Sequence, residues 1–446
     1  METVPHPTEP ADDTTVAADP RCVLLSSYGC RRGDASVAGD AMTVADSFTS
    51  TGWRFRVSFG LAPPPASSCL NYRWLGAGPP GGDTNDRPTV IAAHVDCVLF
   101  ELRTPQLRRE GYGGYDRTNL DYFLYEAGAA RPPSLLLLPA CYIPKQYERR
   151  GDEARRPEKS ARMLFRNDTA VLRRGEGDHV VAQLEVSYGD APKAFNPVEL
   201  ESPDYASRIH AELCVLRTGS GDWELVQAVR IVYDADMASG GGARLMRDWE
   251  TEAAFPASDR FLCFVDYLRG VLLCDTAADM GTLRYVPLPV EVPDHVWGGE
   301  RDRTRGTRSL SAAAGAAGCA VWFVSIDPRC CCGGPGTTWC ARGRFAFPVT
   351  TWTLSLSAGA VDEPATWVKD SVLDCEEVWA FPAFRSIPRV RLENPVVSSD
   401  DPDVKVWMVK VNMRSKEMLS AFPCTPEPWR AESNVPVKLK WSRAFA

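Results

Sequence analysis

The stretch that decides the fold runs Phe261-Leu262-Cys263-Phe264-Val265-Asp266, then Tyr267-Leu268-Arg269-Gly270, Val271-Leu272-Leu273-Cys274-Asp275, and after a polar break Leu283-Arg284-Tyr285-Val286-Pro287-Leu288-Pro289. Each run is short, rich in β-branched and aromatic residues, and bounded by residues that favour turns, which is the pattern of β-strands. With such short breaks between them, the three runs predict an antiparallel meander.

Working outward, the same unit recurs. Thr89 to Leu102 and Asp121 to Leu138 form one set, and Leu164 to Tyr188 with Glu212 to Val232 form another. Within the latter, Gly219-Ser220-Gly221-Asp222 separates two apolar runs as a hairpin turn would. Further sets are Cys319 to Asp327 with Phe345 to Ser357 and Thr366 to Asp370, then Val404 to Val411 with Glu417 to Phe422. A small antiparallel unit cannot bury both of its faces alone, so its repetition predicts an all-β, β-propeller-like array of meander blades, about five or six of them. A two-sheet sandwich is the competing architecture. Helical periodicity is nearly absent, and Ala41 to Phe48, following a possible N-cap at Asp40, is the best short-helix candidate.

Residues 1–20 are rich in Pro, Thr, Ala and Asp and read as a disordered acidic tail, residues 21–430 as a single propeller-like domain, and residues 431–446 as a tail or closing strand. Arg149 to Arg162 and Gly76 to Pro88 read as inserted loops. The 446-residue chain is 44% hydrophobic and 24% charged, an ordinary globular balance, and its formal net charge of -8 argues against a nucleic-acid partner. The longest apolar runs, Leu135 to Leu138 and Cys319 to Val324, fall far short of the roughly 20 residues of a membrane helix, so no membrane partner is expected. The N-terminus lacks the charged start and apolar core of a signal peptide. The 15 cysteines are scattered, mostly in apolar runs where a free thiol acts as a small hydrophobe, and this usage predicts a cytoplasmic or nuclear protein.

Gly76, Gly78 and Gly81 match a G-x-G-x-x-G spacing, but Pro79 and Pro80 occupy the loop and no helix follows to bind phosphate. Candidate metal ligands are Cys319, Cys330, Cys331, Cys332 and Cys340, since thiolates grouped beside a glycine-rich turn are what a zinc site uses. Free thiols at a strand end are the alternative. The five histidines are dispersed, and His94-Val95-Asp96 is the one acid-base pair to weigh, against a plain turn. Asp266, Asp275, Asp370 and Asp374 fall at strand ends, where carboxylates bond turn amides. Tryptophans concentrate in the C-terminal half, as fillers between packed sheets. No nucleophile elbow, phosphate loop or H-E-x-x-H motif occurs, so no catalytic residue and no cofactor is expected.

Several blocks, in order, carry a family resemblance: Ser50-Thr51-Gly52 with Arg56-Val57-Ser58-Phe59, Ala92-Ala93-His94-Val95-Asp96, Asp121-Tyr122-Phe123, Glu212 to Arg217, Phe261 to Asp275, Leu283 to Pro289, Cys330 to Gly334, Thr351 to Leu354, Trp367-Val368-Lys369-Asp370 and Asn394 to Val397. From about Arg21 to Pro426 the chain resembles the grass-expanded plant family known as domain of unknown function 1618. The resemblance implies a plant protein without an assigned activity, organised like the propeller-like domains that follow F-boxes. Some relatives look like F-box substrate receptors, whereas here the acidic tail leads straight into strand material, without room for F-box helices. The family supplies no catalytic residues. The expected function is a non-enzymatic recognition or scaffold domain that binds a protein partner through a rim face. The alternatives are a receptor-like role without an F-box and a cysteine-based metal-binding or sensor protein.

Overall fold

Apolar runs pair with their sequence neighbours throughout the computed structural model of the chain. The structure describes residues 23–31, 41–62, 67–79, 87–105, 118–127, 131–145, 161–188, 209–233, 246, 249–278, 280–291, 300–315, 318–327, 346–356, 365–381, 395, 405–406, 409–412, 417–421 and 437–439. The chain is all-β, as the repeated runs predict.

The first sheet contains β1 (Val23–Leu25), β2 (Cys30–Arg31), β3 (Ala45–Phe48), β4 (Arg54–Gly60) and β5 (Ser67–Trp74), and the late strand β25 (Val437–Leu439) adds to it antiparallel to β1. Three four-strand meanders follow in chain order: β6 (Thr89–His94) to β9 (Ser134–Leu137) through β7 (Cys97–Pro105) and β8 (Thr118–Glu126); β10 (Thr169–Gly175) to β13 (Glu224–Val232) through β11 (Asp178–Tyr188) and β12 (Ile209–Arg217); and β14 (Ala253–Pro256) to β17 (Thr282–Pro287) through β15 (Phe261–Asp266) and β16 (Gly270–Asp275). A short parallel pairing of β13 with β17 merges the last two into one eight-stranded sheet. Its edge strands β10 and β14 lie against each other, so this sheet is barrel-like and nearly closed.

Helix α1 (Glu300–Arg305) leads into a further meander of β18 (Arg308–Gly315), β19 (Gly318–Ile326), β20 (Pro348–Leu356) and β21 (Trp367–Asp374). Helix α2 (Cys375–Ala380) follows directly, its N-terminus closed by the Asp374 carboxylate and a reciprocal bond from Glu377. Strands β22 (Lys405–Val406), β23 (Val409–Asn412) and β24 (Glu417–Ala421) form a small antiparallel sheet. Among the described residues no helix is long and apolar enough to cross a membrane.

Why the runs are continuously apolar, not alternating, is explained by their surroundings. Side chains along a strand point to opposite faces in turn, and a strand buried on both faces needs apolar residues at every position. On β15, Leu262 and Phe264 pack with Ala170, Leu172, Val180, Leu213 and Tyr285 inside the eight-strand body, while Cys263 and Val265 pack the other way with Val321, Phe323, Trp352 and Leu354. On β7, Val98, Phe100 and Leu102 face the first sheet, whereas Cys97 and Leu99 face Val171, Val181 and Leu216. Burying each such side chain contributes roughly 1.5–3 kcal/mol. The fourth strands β9, β13 and β21 are by contrast largely exposed.

Two expectations are corrected. Ala41 to Phe48 is no helix: Ala41–Thr43 is a single 3-10 turn and Ala45–Phe48 is a strand, while Asp40 is outside the described residues. Asp46 makes a bidentate pair with Arg56 of the partner strand, at 2.6 and 2.9 Å, and this cross-strand bond, with the pairing of Ala45–Phe48 to β4, outweighs a weak helical pattern. The reading of the cysteines as free thiols fails at Cys30 and Cys69, which are joined in a disulfide between β2 and β5. Cys97, Cys141, Cys214, Cys263, Cys274, Cys319 and Cys375 are not in disulfides. The 1–20 tail lies outside the described residues, as do residues 149–160 of the first inserted loop and residues 80–86 of the second.

Gly270 opens β16 where no side chain fits. A Cβ there would meet the Val286 carbonyl oxygen at 2.6 Å and the Tyr285 ring at 2.7 Å, and that ring is held by its hydroxyl bond to the Arg269 carbonyl. Gly270→Ala is expected to destabilise the fold by about 1–3 kcal/mol. Gly175→Ala, where the added atom meets nothing within 4 Å, is the control. Urea unfolding midpoints of the two variants check this, and equal midpoints would refute it.

Candidate functional site

The turn between β6 and β7 carries the sequence-predicted pair His94 and Asp96. Val95 at its corner adopts φ 57°, a left-handed conformation that is strained for a β-branched residue. The bend turns Asp96 inward, where its side chain is 1% exposed.

Both residues of the pair meet Arg173, at the end of β10 in the next sheet. The Arg173 backbone N–H donates to His94 Nδ1 at 2.9 Å, and its guanidinium Nε lies 2.8 Å from Asp96 Oδ1 and 3.4 Å from Glu126 Oε1. Glu126, at the end of β8, also accepts the Gly177 backbone N–H at 3.0 Å, and His179 Nε2 approaches the same oxygen at 3.6 Å. His179, at the start of β11, is anchored from behind by Thr218, whose hydroxyl accepts its backbone N–H at 2.9 Å. Three hairpin ends from two sheets thus converge on one polar cluster.

Burial dominates its electrostatics. The Asp96 carboxyl is pushed up to about 6 by loss of water, against the pull of the Arg173 charge. Burial also lowers the His179 imidazole, so at neutral pH it stands neutral beside Glu126. His94, Asp96 and Glu126 are bonded to Arg173 or Gly177 of the facing sheet, His179 approaches Glu126 at 3.6 Å, and His94 presents its Nδ1 to a backbone amide instead of a reacting group. The arrangement therefore acts as a polar fastening between the second and third sheets. Sequence reasoning found His94 and Asp96 but missed Glu126, Arg173 and His179; their one sequence signal is a charged or titratable residue closing or opening an otherwise apolar strand.

A second cluster fastens α1 to the β14–β17 meander. Asp266 accepts the backbone N–H groups of Leu268 and Glu250, each at 2.9 Å, and Arg301 Nη1 at 3.2 Å. Glu252 accepts Tyr267 N–H at 2.7 Å and Arg305 Nε at 2.8 Å. Arg301 and Arg305, four apart, share one face of the helix. Burial, reinforced by the neighbouring Asp266 charge, pushes the Glu252 carboxyl up to about 7.

The expected strand-end role of aspartates holds at Asp266, at Asp275, which accepts Ala277 N–H at 3.0 Å, and at Asp374. Asp370 instead accepts the Thr353 hydroxyl across the strand pair at 2.7 Å. Arg162, placed by the sequence reading in a surface loop, is buried and bonds Gln183 at 2.6 Å and Glu185 at 3.0 Å, because its guanidinium fills a polar gap over β11. Of the candidate metal ligands, Cys319 donates its thiol to the Ala257 carbonyl at 2.9 Å, and Cys330, Cys331, Cys332 and Cys340 lie outside the described residues. Among the described residues no three His, Cys, Asp or Glu side chains are grouped to hold a metal ion.

Removing Arg173 leaves two carboxylates without their shared cation. Arg173→Met is expected to cost about 3–5 kcal/mol, and adding Asp96→Asn and Glu126→Gln to recover part of it, measured by urea unfolding as a mutant cycle. The raised Asp96 value fixes a pH sign. Between about pH 4 and 6 the folded state holds more protons at this carboxyl than the unfolded chain, so its contribution falls as pH rises, at no more than about 1.4 kcal/mol per pH unit. The stability of the native protein relative to Asp96→Asn should therefore decline across that window and level off above about pH 7. An increase would contradict the assignment.

No curated protein matches the chain. Residues 264–406 match the family described as "Protein of unknown function (DUF1618)", a span that runs from within β15 through β21 and α2 into β22. The meander first quoted from the sequence enters this span at Phe264, and Asp266, Arg301 and Arg305 of the second fastening lie inside it. The chain thus carries a DUF1618 family domain, at residues 264–406.

Proposed function

We propose that the chain is a non-enzymatic recognition domain, built as a propeller-like array of meander blades, that binds a protein partner through loops at one rim face. The observation that carries this reading is that successive meanders bury both of their faces against one another, which leaves the strand-end loops as the surfaces free to vary.

Three features support the radial arrangement over a two-sheet sandwich. First strands lie together, β6 against β10 and β14, β10 against β14, and β14 against β18, as strands nearest a common axis would. The fourth strands β9, β13 and β21 are the more exposed ones, as outer strands would be, whereas β17 is covered and pairs with β13. The late strand β25 pairs with β1, the kind of contact that closes a ring. A sandwich leaves one face of each sheet to solvent. The polar clusters support a binding role over a catalytic one, because their charged groups are bonded to facing sheets.

The test is affinity isolation of the tagged chain from tissue that expresses it, with chemical crosslinking and mapping of crosslinked residues. The reading expects one protein recovered above an untagged control, its crosslinks gathered on loops at a single end of the meanders. Recovery of nothing above the control, or crosslinks spread over exposed fourth strands, would overturn it.

A further inference from the structure

Cys141 and Cys214 stand apart from the other described thiols. Cys141 sits in the irregular segment after β9, between the exposed Ala140 and Tyr142, and Cys214 sits at the centre of β12 in the following sheet. Both are fully buried, and their sulfurs are 3.5 Å apart although 73 residues separate them in sequence. A disulfide needs about 2.05 Å, so bonding asks the sulfurs to close by about 1.5 Å. One partner sits outside regular structure, where such a shift costs least.

We propose that Cys141 and Cys214 form a redox-modification site, at which a hydroperoxide oxidises the pair to a disulfide that ties the segment after β9 to β12. The local chemistry favours Cys141 as the attacking thiolate. The contact between the two thiols, helped by the Ile143 backbone and the nearby Arg162 charge, holds the Cys141 thiol below its ordinary value, while the same contact and burial push Cys214 above. Burial instead pushes Cys97, Cys263, Cys274 and Cys319 up. The Cys141 thiolate attacks one peroxide oxygen and breaks the O–O bond, giving a sulfenic acid and, with hydrogen peroxide, a hydroxide that takes up a proton to become water. The Cys214 sulfur then attacks the sulfenic sulfur, the S–S bond forms, and a second water leaves with the Cys214 proton. Overall two thiols are oxidised and one peroxide is reduced to two waters.

The experiment uses the full chain, reduced and desalted, then exposed to hydrogen peroxide, quenched with catalase, alkylated and digested without reductant for mass spectrometry. Expected is a linked Cys141–Cys214 peptide pair two hydrogens lighter than its parts, with loss of both alkylated peptides before Cys97, Cys263 or Cys274 reacts. Dithiothreitol should reverse the change. The linked pair should vanish in Cys141→Ser and in Cys214→Ser, and the oxidised protein should unfold at a higher denaturant midpoint than the reduced one. Recovery of both residues as alkylated thiols, or of Cys141 as an unlinked sulfinic or sulfonic acid, would overturn the proposal. Because the native chain alone yields the linked peptide, a variant that fails to fold leaves the outcome decidable.

Discussion

Face-to-face apolar packing between consecutive meanders is the constraint on which the rest of this structure depends. The three meanders from β6 to β17 each present one set of side chains to the sheet or meander before and the alternate set to the one after, as Leu262 and Phe264 against Cys263 and Val265 illustrate on β15. No meander can be stable alone under that arrangement, because removing a neighbour exposes a whole apolar face. The burial also explains why outer strands differ from inner ones. The exposed fourth strand β21 carries Lys369 and Asp370, charges of the kind that discourage pairing with another chain.

Apolar packing is non-directional, so it does not by itself fix how one sheet sits on the next. Polar fastenings at the strand ends supply that register. Arg173 holds Asp96 and Glu126 of the preceding meander, while Asn167 reaches the Thr251 carbonyl and Arg308 reaches the Tyr267 carbonyl of neighbouring sheets. Asp96 and Glu126 are buried, and each is costly unless its partner is in place. Charged residues at the ends of apolar strands are here the price of orientation.

Much of the strand inventory was legible in the residues. The Phe261 to Pro289 meander and the hairpin at Gly219 to Asp222 appear where turn residues interrupt apolar runs. What was missed has physical reasons. Arg308–Gly315 is rich in Ala and Ser, with weak strand preference, and becomes β18 because all eight residues pair with β19. Ala45–Phe48 loses its short helical pattern to cross-strand pairing with β4, and α1 and α2 are only six residues each, too short to leave a periodic signal. At the candidate site the turn residues His94 and Asp96 drew notice because they adjoin, whereas Arg173 and Glu126 are 47 residues apart and meet only through sheet stacking.

The amino-acid sequence by itself determined that this chain is all-β, where most strands begin and end, and that its antiparallel neighbours are adjacent in sequence, since those properties follow from local preference and turn chemistry. Only the tertiary structure decided which faces oppose one another, that β13 meets β17 in parallel, that Cys141 lies beside Cys214, and that His94, Asp96 and Glu126 share Arg173. The physical reason is that hydrophobic patterning says that a face is buried but not against what, and charge pairing acts only once packing has brought the partners within a few ångströms.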